Sequence, residues 1–443
     1  NWNIAAATIN GKITKNLSLN SKTFMVMGER GALGFLGNIN RIDTLGNRDL
    51  ILGEYFNLGN ETRFIQRFNV RSNPGAILVG TRLYQGRTRS RQGDAQGFDD
   101  ANFNFINPEY LEGSDFTFPS QNVSLFSEAL IPLSGCWYIT PGVRYEYIRT
   151  ENSGYYLSEN RHPLTNEVRD RRQVTSSDVN PRSLVLFGLG TTYKCFEDIE
   201  LYGNVSQNYR AINFSDVRVI NDNLLVDSNL VDEYGWTADV GFRGKLFRNS
   251  LTIDASGFVM MYNNRIGQTQ RAINNTTTRL VRTNIADARF IGVEIFEELN
   301  LLQLLRLEKD WNIIWFNNTA FVDARYLPGD EKSVVNNQVE NVPLMNLKSG
   351  LSFSYGNFSL GTQLNHVSEQ FTDASNAEFY PDATIGIIPS YTVIDLSSKY
   401  QWKWLSLEAS VNNLTDQIYF TRRATGYPGP GIIPAQRRMF FFT

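Results

Sequence analysis

Strict alternation of apolar and polar residues is the dominant pattern in this sequence, and residues 390–412 show it most clearly. The first apolar row is Thr392, Ile394, Leu396, Tyr400 and Trp402, and its polar counterpart is Tyr391, Asp395, Ser397, Lys399 and Gln401. After a Trp-Lys-Trp turn, Leu405, Leu407, Ala409 and Val411 oppose Ser406, Glu408, Ser410 and Asn412. Successive side chains of a strand point to opposite faces, so this pattern predicts two strands, each with one apolar and one polar face.

The same alternation returns along the whole chain in pairs of predicted strands joined by short turns. Tyr234–Leu246 and Leu251–Asn263 form one such pair. These runs reach about ten residues or more, which exceeds the usual length of strands in soluble sheets. Long polar stretches separate the pairs, and we expect loops that end near Asn60, Pro119 and Asn180. Structureless loops of that length are uncommon in compact soluble domains.

Short turns on one side and long loops on the other are typical of an outer-membrane barrel, whose turns lie in the periplasm and whose loops lie outside the cell. The predicted fold class is therefore all-β, an antiparallel transmembrane β-barrel with a polar lumen that is water-filled or plugged. Aromatic residues near strand ends fit the girdle that such barrels place at the membrane interface. They are Trp137, Phe196, Tyr355, Trp402 and Trp404.

Composition is compatible with a barrel. Aromatic residues make up 13% of the 443 residues, yet the mean hydropathy is only −0.30. Lipid-facing and lumen-facing residues alternate in a barrel wall, so its average hydropathy is unremarkable. The sequence has no apolar run long enough for a transmembrane helix. Its net charge of −3 argues against general nucleic-acid binding.

Strand direction leads us to expect that the N-terminal part of the protein is missing from this sequence. The pattern predicts about seventeen strands, the last only begun at Arg437–Phe442, whereas single-chain bacterial barrels have an even number. Such barrels start with an ascending strand, but the predicted first strand, Trp2–Ile13, descends to a short turn. The N-terminus carries neither a Met nor a signal peptide. An odd number of strands is therefore expected before Asn1.

Several motifs resemble those of a known family. Residues 411–420 (VNNLTDQIYF), a Gly/Pro loop and residues 436–440 (QRRMF) resemble the end of TonB-dependent outer-membrane receptors. Within that family the sequence is most similar to the ferric dicitrate receptors. Agreeing stretches are ARFIGVE at 288–294, VGTRLY at 79–84, TPGVRYE at 140–146 and EQFTDA at 369–374. The resemblance covers nearly the whole chain.

The resemblance implies a 22-stranded barrel filled by an N-terminal plug. It implies active uptake of an iron chelate, most closely ferric citrate, across the outer membrane of a Gram-negative bacterium, although another anionic siderophore remains open. The plug and the TonB box have no counterpart here, so residues 1–443 are expected to be a partial barrel with the plug and first strands upstream. The sequence stops at Thr443, where we expect the last strand to be cut as well.

The expected partners are the chelate, the TonB complex through the missing plug, membrane lipid and lipopolysaccharide, with no nucleic acid, no cofactor and no enzymatic activity. A passive porin is one alternative, and a plug sequence upstream of Asn1 would exclude it. An adhesin or soluble β-rich binding protein is the other alternative. Detergent-dependent solubility and heat-modifiable gel migration would favour the barrel over that second class.

Arginines are the first candidates for binding the ligand. Citrate already coordinates the iron of such a chelate, so the receptor needs cations and hydrogen-bond donors, and the planar fork of Arg suits a carboxylate. The candidates are Arg82, Arg87, Arg89 and Arg91, where a strand enters an extracellular loop. The last three alternate and so share one side, which we expect to face the lumen. The alternatives are a solvated loop or an arginine belt that binds anionic lipopolysaccharide.

Gln207 and Arg210 are further ligand candidates, near Arg218 at the top of another strand. The two histidines, His162 in a loop and His366 on an apolar strand face, are expected to be solvated or interfacial. Two such scattered residues make no convincing metal site, and we predict none. They also weaken the case for a His-dependent protease or lipase.

The two cysteines lie at the predicted periplasmic rim. Cys136 starts one strand and Cys195 ends the neighbouring one. Suitable register would bring them within disulfide reach, and the periplasm permits oxidation. The alternative is a pair of unrelated, unpaired thiols.

Overall fold

The computed structural model describes residues 1–34, 46–97, 101–161, 168–194, 196–217, 224–274, 277–307, 309–329, 332–379, 383–424 and 431–443. Strands dominate these residues. The first eight are β1 Trp2–Lys12, β2 Leu17–Gly34, β3 Arg48–Val70, β4 Asn73–Ala95, β5 Ser114–Pro132, β6 Trp137–Arg161, β7 Val168–Tyr193 and β8 Ile199–Arg210.

The remaining strands follow in chain order. They are β9 Leu224–Val226, β10 Glu233–Leu246, β11 Leu251–Asn274, β12 Thr277–Asn300, β13 Trp311–Tyr326, β14 Met345–Tyr355, β15 Phe358–Val367, β16 Gln370–Phe371, β17 Ile387–Ile388, β18 Tyr391–Trp402, β19 Leu405–Asn412, β20 Phe420–Ala424, β21 Gly431–Pro434 and β22 Met439–Phe442. The short helices are α1 Phe214–Val217, α2 Leu301–Leu305 and the 3-10 turn Lys332–Val334.

One large sheet contains eighteen of the described strands. All of them except β9 pair antiparallel with their neighbours along the chain, and β9 pairs parallel with β12. The seventeen antiparallel strands match the predicted strand count. The all-β barrel fold class is thereby confirmed. Among the described residues, no pairing joins the first strand, β1, to the last, β22.

The two faces of the sheet differ as the alternation predicts. On β10 the row that includes Trp236 and Val240 is exposed, with Val240 at 68%. On the other face, the Tyr202 hydroxyl on β8 donates to Asp254 Oδ1 on β11 at 2.8 Å, across the intervening strand. Side chains that meet over a strand in this way lie on the concave side. Gly241 permits the crossing, because a Cβ there would lie 2.6 Å from the Tyr202 ring.

The aromatic girdle lies where the sequence predicts it. Trp137, Tyr355, Trp402 and Trp404 are exposed beside the short turns, Trp404 at 88%. The apolar row of β18 faces outward in register with the outward rows of its neighbours, with Leu396 opposite Thr362 and Val411. The outer surface therefore presents apolar and aromatic side chains to lipid.

The predicted loop boundaries are wrong, because the strands extend well beyond them. β3 begins at Arg48 rather than after Asn60, β5 begins at Ser114, and β7 begins at Val168. Beyond the lipid, both faces of a strand meet water or protein. The outer row no longer has to be apolar there, so the alternation that marks a membrane strand disappears.

One connection at the short-turn end of the barrel is helical rather than a tight turn. Asn300 caps α2, where its side chain accepts the Gln303 N–H at 3.1 Å. Arg306 ends the helix in the left-handed conformation with φ 57°. In the described part of the chain, no helix is both long and apolar enough to cross a membrane.

The predicted disulfide can be compared with the structure at only one of its two cysteines, Cys136. Cys136 is disulfide-bonded, and the Lys194 N–H donates to the Cys136 carbonyl at 2.7 Å across the β6–β7 edge. Cys195, the other cysteine of the chain, lies outside the described residues. Its pairing with Cys136 stays a prediction.

If Cys136 and Cys195 are paired, a thiol-specific alkylating reagent added to the denatured, unreduced protein should label neither residue. Reduction before alkylation should make both reactive, because cleavage of the bond releases two thiols. Mass spectrometry of the two peptides measures this directly. Labelling of either cysteine without reductant would contradict the pairing.

Adjacent residues on β8 test the assignment of the two faces. Val205 faces outward and is 45% exposed, whereas the Asn204 amide points inward and donates to Asp239 Oδ1 at 3.2 Å. Val205→Arg should destabilise the folded barrel by about 2–4 kcal/mol, the cost of an arginine at mid-membrane.

The matched variant is Asn204→Arg, which places the same side chain in the lumen beside Asp239 and should cost far less. Urea titration in detergent, followed by heat-modifiable gel migration, compares the two variants. Equal destabilisation would contradict the assignment.

Candidate functional site

A pocket of about 380 Å³ with a mixed polar and apolar lining lies on the inner face, near the end of the barrel opposite the short turns. We call it the mouth pocket. Its wall includes Asn57, Tyr84, Thr88, Ser120, Thr150 and Asn180 from β3 to β7, and Ile212, Asn213 and Val217 reach it from the segment after β8. The Tyr84 hydroxyl donates to Asn57 Oδ1 at 2.5 Å. Volumes of this order are typical of small-molecule sites.

Arg182 on the inner row of β7 is the cation next to the mouth pocket. Its Nη1 donates to Thr150 Oγ1 at 2.8 Å and to the Asn180 carbonyl at 3.0 Å. Its Nε forms an ion pair with Asp232, just before β10. The side chain is only 13% exposed. The guanidinium is therefore held in one orientation by two residues of the pocket wall.

Arg210 at the top of β8 is the second inner cation. Its two terminal nitrogens contact Asp216 Oδ1 at 2.7 Å and Glu233 Oε1 at 3.0 Å. Arg282 on β12 donates from Nη1 to the Asp216 carbonyl at 3.3 Å. Both cations therefore converge on Asp216.

Glu233 connects this region to the neighbouring strand. It is 1% exposed, and Oε1 accepts from Arg210, from Arg265 at 3.1 Å and from the Ile266 N–H at 2.9 Å. A carboxylate buried this deeply requires such partners, because an unpaired charge away from water is strongly unfavourable. Glu233 fixes the relative position of β8, β10 and β11.

A buried apolar cluster lies beside this network, where the loop after β13 folds onto the inner face. We call it the cap cluster, and its residues are Ile285, Ala288, Phe290, Ala324, Tyr326, Val334, Val339 and Ala374. The Tyr326 hydroxyl donates to Glu340 Oε2 at 2.6 Å. Burial raises the pKa of Glu340, which also faces Arg265 and Asp373.

The prediction that Arg87, Arg89 and Arg91 face the lumen is wrong. β4 pairs with β3 and β5 without a break in register, so these residues continue the outward row of Leu83. Arg89 forms an ion pair with Asp115 at 2.9 Å, and Arg91 forms one with Glu54. The three alternate as predicted but lie on the opposite face. Whether any of them contacts ligand stays a prediction.

The other candidates divide between the two faces. Arg82 lies on the inner row, opposite the buried Ser124, and Arg210 is also inside. Gln207 lies on the outward row opposite Trp236, and its Oε1 accepts the Phe187 N–H at 3.0 Å. Gln207 is therefore not brought together with the inner arginines.

Of the two histidines and Arg218, only His366 lies in the described part of the chain. Arg218 and His162 lie outside the described residues. His366 is on the outward face, where Nδ1 lies 2.8 Å from Thr392 Oγ1. Among the described residues, no group of three or more His, Cys, Asp or Glu side chains is placed to hold a metal ion.

Sequence reasoning missed Arg182 and Arg282. Arg182 directly precedes the predicted strand, and it shares a face with Leu184 and Leu186, opposite the outward Val185. Extension of that strand by one residue would have identified it as an inner cation. Arg282 lies in a polar stretch of β12 with no alternation, so no sequence signal identifies its face.

The long antiparallel strands and their apolar outer row define a membrane β-barrel. Residues 8–414 match the family described as "TonB dependent receptor-like, beta-barrel", and the chain belongs to that family. The ferric citrate transporter FecA in its unliganded form is structurally similar, with a TM-score of 0.74 and 18% identity over 100% of this chain and 60% of that one.

Two further solved structures share the fold. The ferric yersiniabactin uptake receptor FyuA from Yersinia pestis has a TM-score of 0.71 and 16% identity over 99% of this chain and 60% of its own. The copper transporter OprC has a TM-score of 0.72 and 14% identity over 100% of this chain and 64% of its own. The chain thus spans less than two thirds of these proteins, and at such identities the similarity is one of fold.

Glu340 should make the packing of the cap cluster depend on pH. Because its pKa is raised in the folded state, the neutral carboxyl stabilises the packed loop below the ordinary pKa. That contribution is lost as pH rises through the raised value. Limited proteolysis should therefore cut residues 332–344 faster as pH rises.

Glu340→Gln stays neutral at every pH and should remove this dependence. Glu109→Gln, at an exposed carboxylate in the loop before β5, serves as the matched control and should retain it. Mass spectrometry of the released fragments provides the measurement. An unchanged pH profile in Glu340→Gln would show that this carboxyl does not govern the loop.

Proposed function

We propose that this chain forms the barrel of an outer-membrane receptor that imports an iron chelate, with ferric citrate as the ligand, in a Gram-negative bacterium. The observation that carries the proposal is the set of arginines on the inner face, with Arg182 beside the mouth pocket and Arg210 close to it. A guanidinium binds a carboxylate through two parallel hydrogen bonds, and the outer oxygens of a citrate chelate are carboxylates. The structural similarity to a ferric citrate transporter supports the choice of ligand.

Binding in this proposal requires no chemistry on the metal. The chelate keeps its own iron ligands, the arginines contact its outer oxygens, and hydroxyl and amide groups such as Tyr84 and Asn57 contact the remaining polar atoms. The pocket excludes part of the bulk water, which strengthens each charged contact. Energy for release into the periplasm comes from the TonB complex.

A plug domain and further strands before Asn1 are part of the proposal. The unpaired edges of β1 and β22 in the described sheet support it, because a membrane barrel must close to satisfy its backbone. The coverage of 60% of the FecA chain agrees with additional sequence elsewhere in the protein. Energy-independent diffusion of the chelate would favour the passive porin instead.

The outward arginines fit a different partner. Arg87 continues the lipid-facing row of β4 beyond Leu83 and is exposed on the outer surface. A cation on the outer surface beyond an apolar row suits the phosphate groups of lipopolysaccharide. We therefore assign Arg87, with Arg89 and Arg91, to the membrane surface rather than to the chelate.

Uptake of radiolabelled ferric citrate by cells with the complete gene tests the site. Arg182→Gln should reduce uptake about tenfold or more, because a charge-assisted hydrogen bond contributes ~1.5–3 kcal/mol. Arg182→Lys should retain part of it, since the charge remains but the bidentate geometry is lost. Heat-modifiable migration confirms that each variant is folded.

The matched control replaces Arg87, Arg89 and Arg91 together by Gln and should leave uptake unchanged. Loss of uptake in this triple variant, with normal uptake in Arg182→Gln, would move the ligand site to the outer surface. Uptake that persists after the proton-motive force is collapsed would contradict active import.

A further inference from the structure

The arginines beside the mouth pocket are already bound to carboxylates, and these come from the single connection between β8 and β10. Asp232 pairs with Arg182, and Asp216 pairs with Arg210 at 2.7 Å. Asp216 is buried together with Ile212, whose side chain reaches the pocket. The inner cations therefore have an internal anion in the position that an external anion would need.

We propose that Asp216 and Asp232 are internal substitutes for ligand carboxylates, and that an anionic chelate binds by exchanging with them at Arg210 and Arg182. This inference rests on the proposed function, because it specifies how that ligand reaches its cations. It identifies the ligand class as one with at least two free carboxylate groups.

The other contacts of Asp232 lower the free-energy cost of breaking its ion pair with Arg182. Its Oδ1 also accepts the Ile212 N–H at 2.8 Å, and its Oδ2 also accepts from the Tyr209 hydroxyl. Loss of Arg182 therefore leaves the carboxylate with two donors rather than none. A buried polar group that keeps partners escapes most of the desolvation penalty.

Asp216 likewise keeps a hydrogen-bond donor when Arg210 leaves it. Its Oδ2 accepts the Asn213 N–H at 3.0 Å, independently of the contact between Oδ1 and Arg210. Glu233 differs, because it is 1% exposed and holds Arg210, Arg265 and a backbone N–H on the same oxygen. Glu233 is therefore a fixed partner of Arg210, while Asp216 is the exchangeable one.

The arginines keep their orientation during the exchange. Arg182 remains tied to Thr150 Oγ1 and the Asn180 carbonyl through Nη1, while its Nε side is the one occupied by Asp232. A preoriented guanidinium loses little conformational freedom when a new carboxylate replaces the old one. A ligand carboxylate conserves the charge balance at each cation, whereas a neutral chelate that displaced Asp232 would leave Arg182 without that carboxylate partner.

This exchange predicts selectivity for anions. A chelate without carboxylates cannot replace Asp232 or Asp216 and gains nothing from their removal. A carboxylate chelate competes with them directly, so its apparent affinity is reduced by their occupancy. Removal of one internal carboxylate should therefore tighten binding of the anionic chelate alone.

Equilibrium binding to the complete receptor in detergent tests the exchange with three probes: ferric citrate, free citrate and a neutral ferric trihydroxamate. Asp232→Asn and Asp216→Asn should each bind ferric citrate about tenfold more tightly than wild type, with no change for the neutral chelate. Asparagine retains the side-chain oxygen that accepts the Ile212 or Asn213 N–H. Heat-modifiable migration checks that each variant remains folded.

Asp323→Asn is the matched control. Asp323 forms an ion pair with Arg325 at 2.8 Å on the outward face of β13, so its removal should leave all three affinities unchanged. If wild type binds ferric citrate but the Asp232 and Asp216 variants bind it equally or more weakly, the exchange is overturned and the proposed function stands.

A different result separates the proposed function from the exchange. If no preparation binds ferric citrate, that ligand is wrong and the proposed function is overturned. The exchange is then decided by free citrate, which the two asparagine variants should bind more tightly than wild type. Equal binding of free citrate by all preparations would overturn the exchange as well.

Discussion

Hydrogen bonding between neighbouring strands is the constraint on which the rest of the structure depends. An unpaired backbone N–H or C=O in hydrocarbon costs several kcal/mol, so a membrane strand must pair along both edges. The antiparallel ladder meets this requirement for the strands between β1 and β22 in the described sheet, and its register assigns their side chains to one face or the other. Leu396 on β18, for example, faces lipid together with Thr362 and Val411, its partners on the adjacent strands.

Charge on the inner face is balanced locally rather than across the lumen. Glu233 accepts from Arg210 and Arg265, and Asp232 pairs with Arg182. These contacts join the segment after β8 to strands on both sides of it, so the mouth pocket is shaped by electrostatics as much as by the sheet. A polyanionic ligand therefore meets cations that already have carboxylate partners. Its affinity depends on the free-energy cost of displacing those carboxylates.

Much of the barrel wall was predictable from local sequence. Lipid on one face and water on the other require apolar and polar residues to alternate within each strand. The rows at 391–402 and 405–412 follow the predicted faces. The face predicted for Arg87 was wrong, although the sequence contains the signal that identifies it: Leu83 lies on the same row of β4 and faces outward. The parts of the strands that extend beyond the lipid were not predicted, because polar residues occupy both of their faces. The pairing of Asp232 with Arg182 joins distant parts of the chain, which no local pattern encodes.

Nitroxide side chains placed one at a time along residues 201–209 of β8 would test the two-faced wall most directly. The receptor would carry serine in place of both native cysteines and would be reconstituted in lipid vesicles. Positions 201, 203 and 205 should be accessible to dissolved oxygen, and positions 202, 204 and 206 to a water-soluble nickel complex, with a period of two. Accessibility without that period, or with the two faces reversed, would contradict the account.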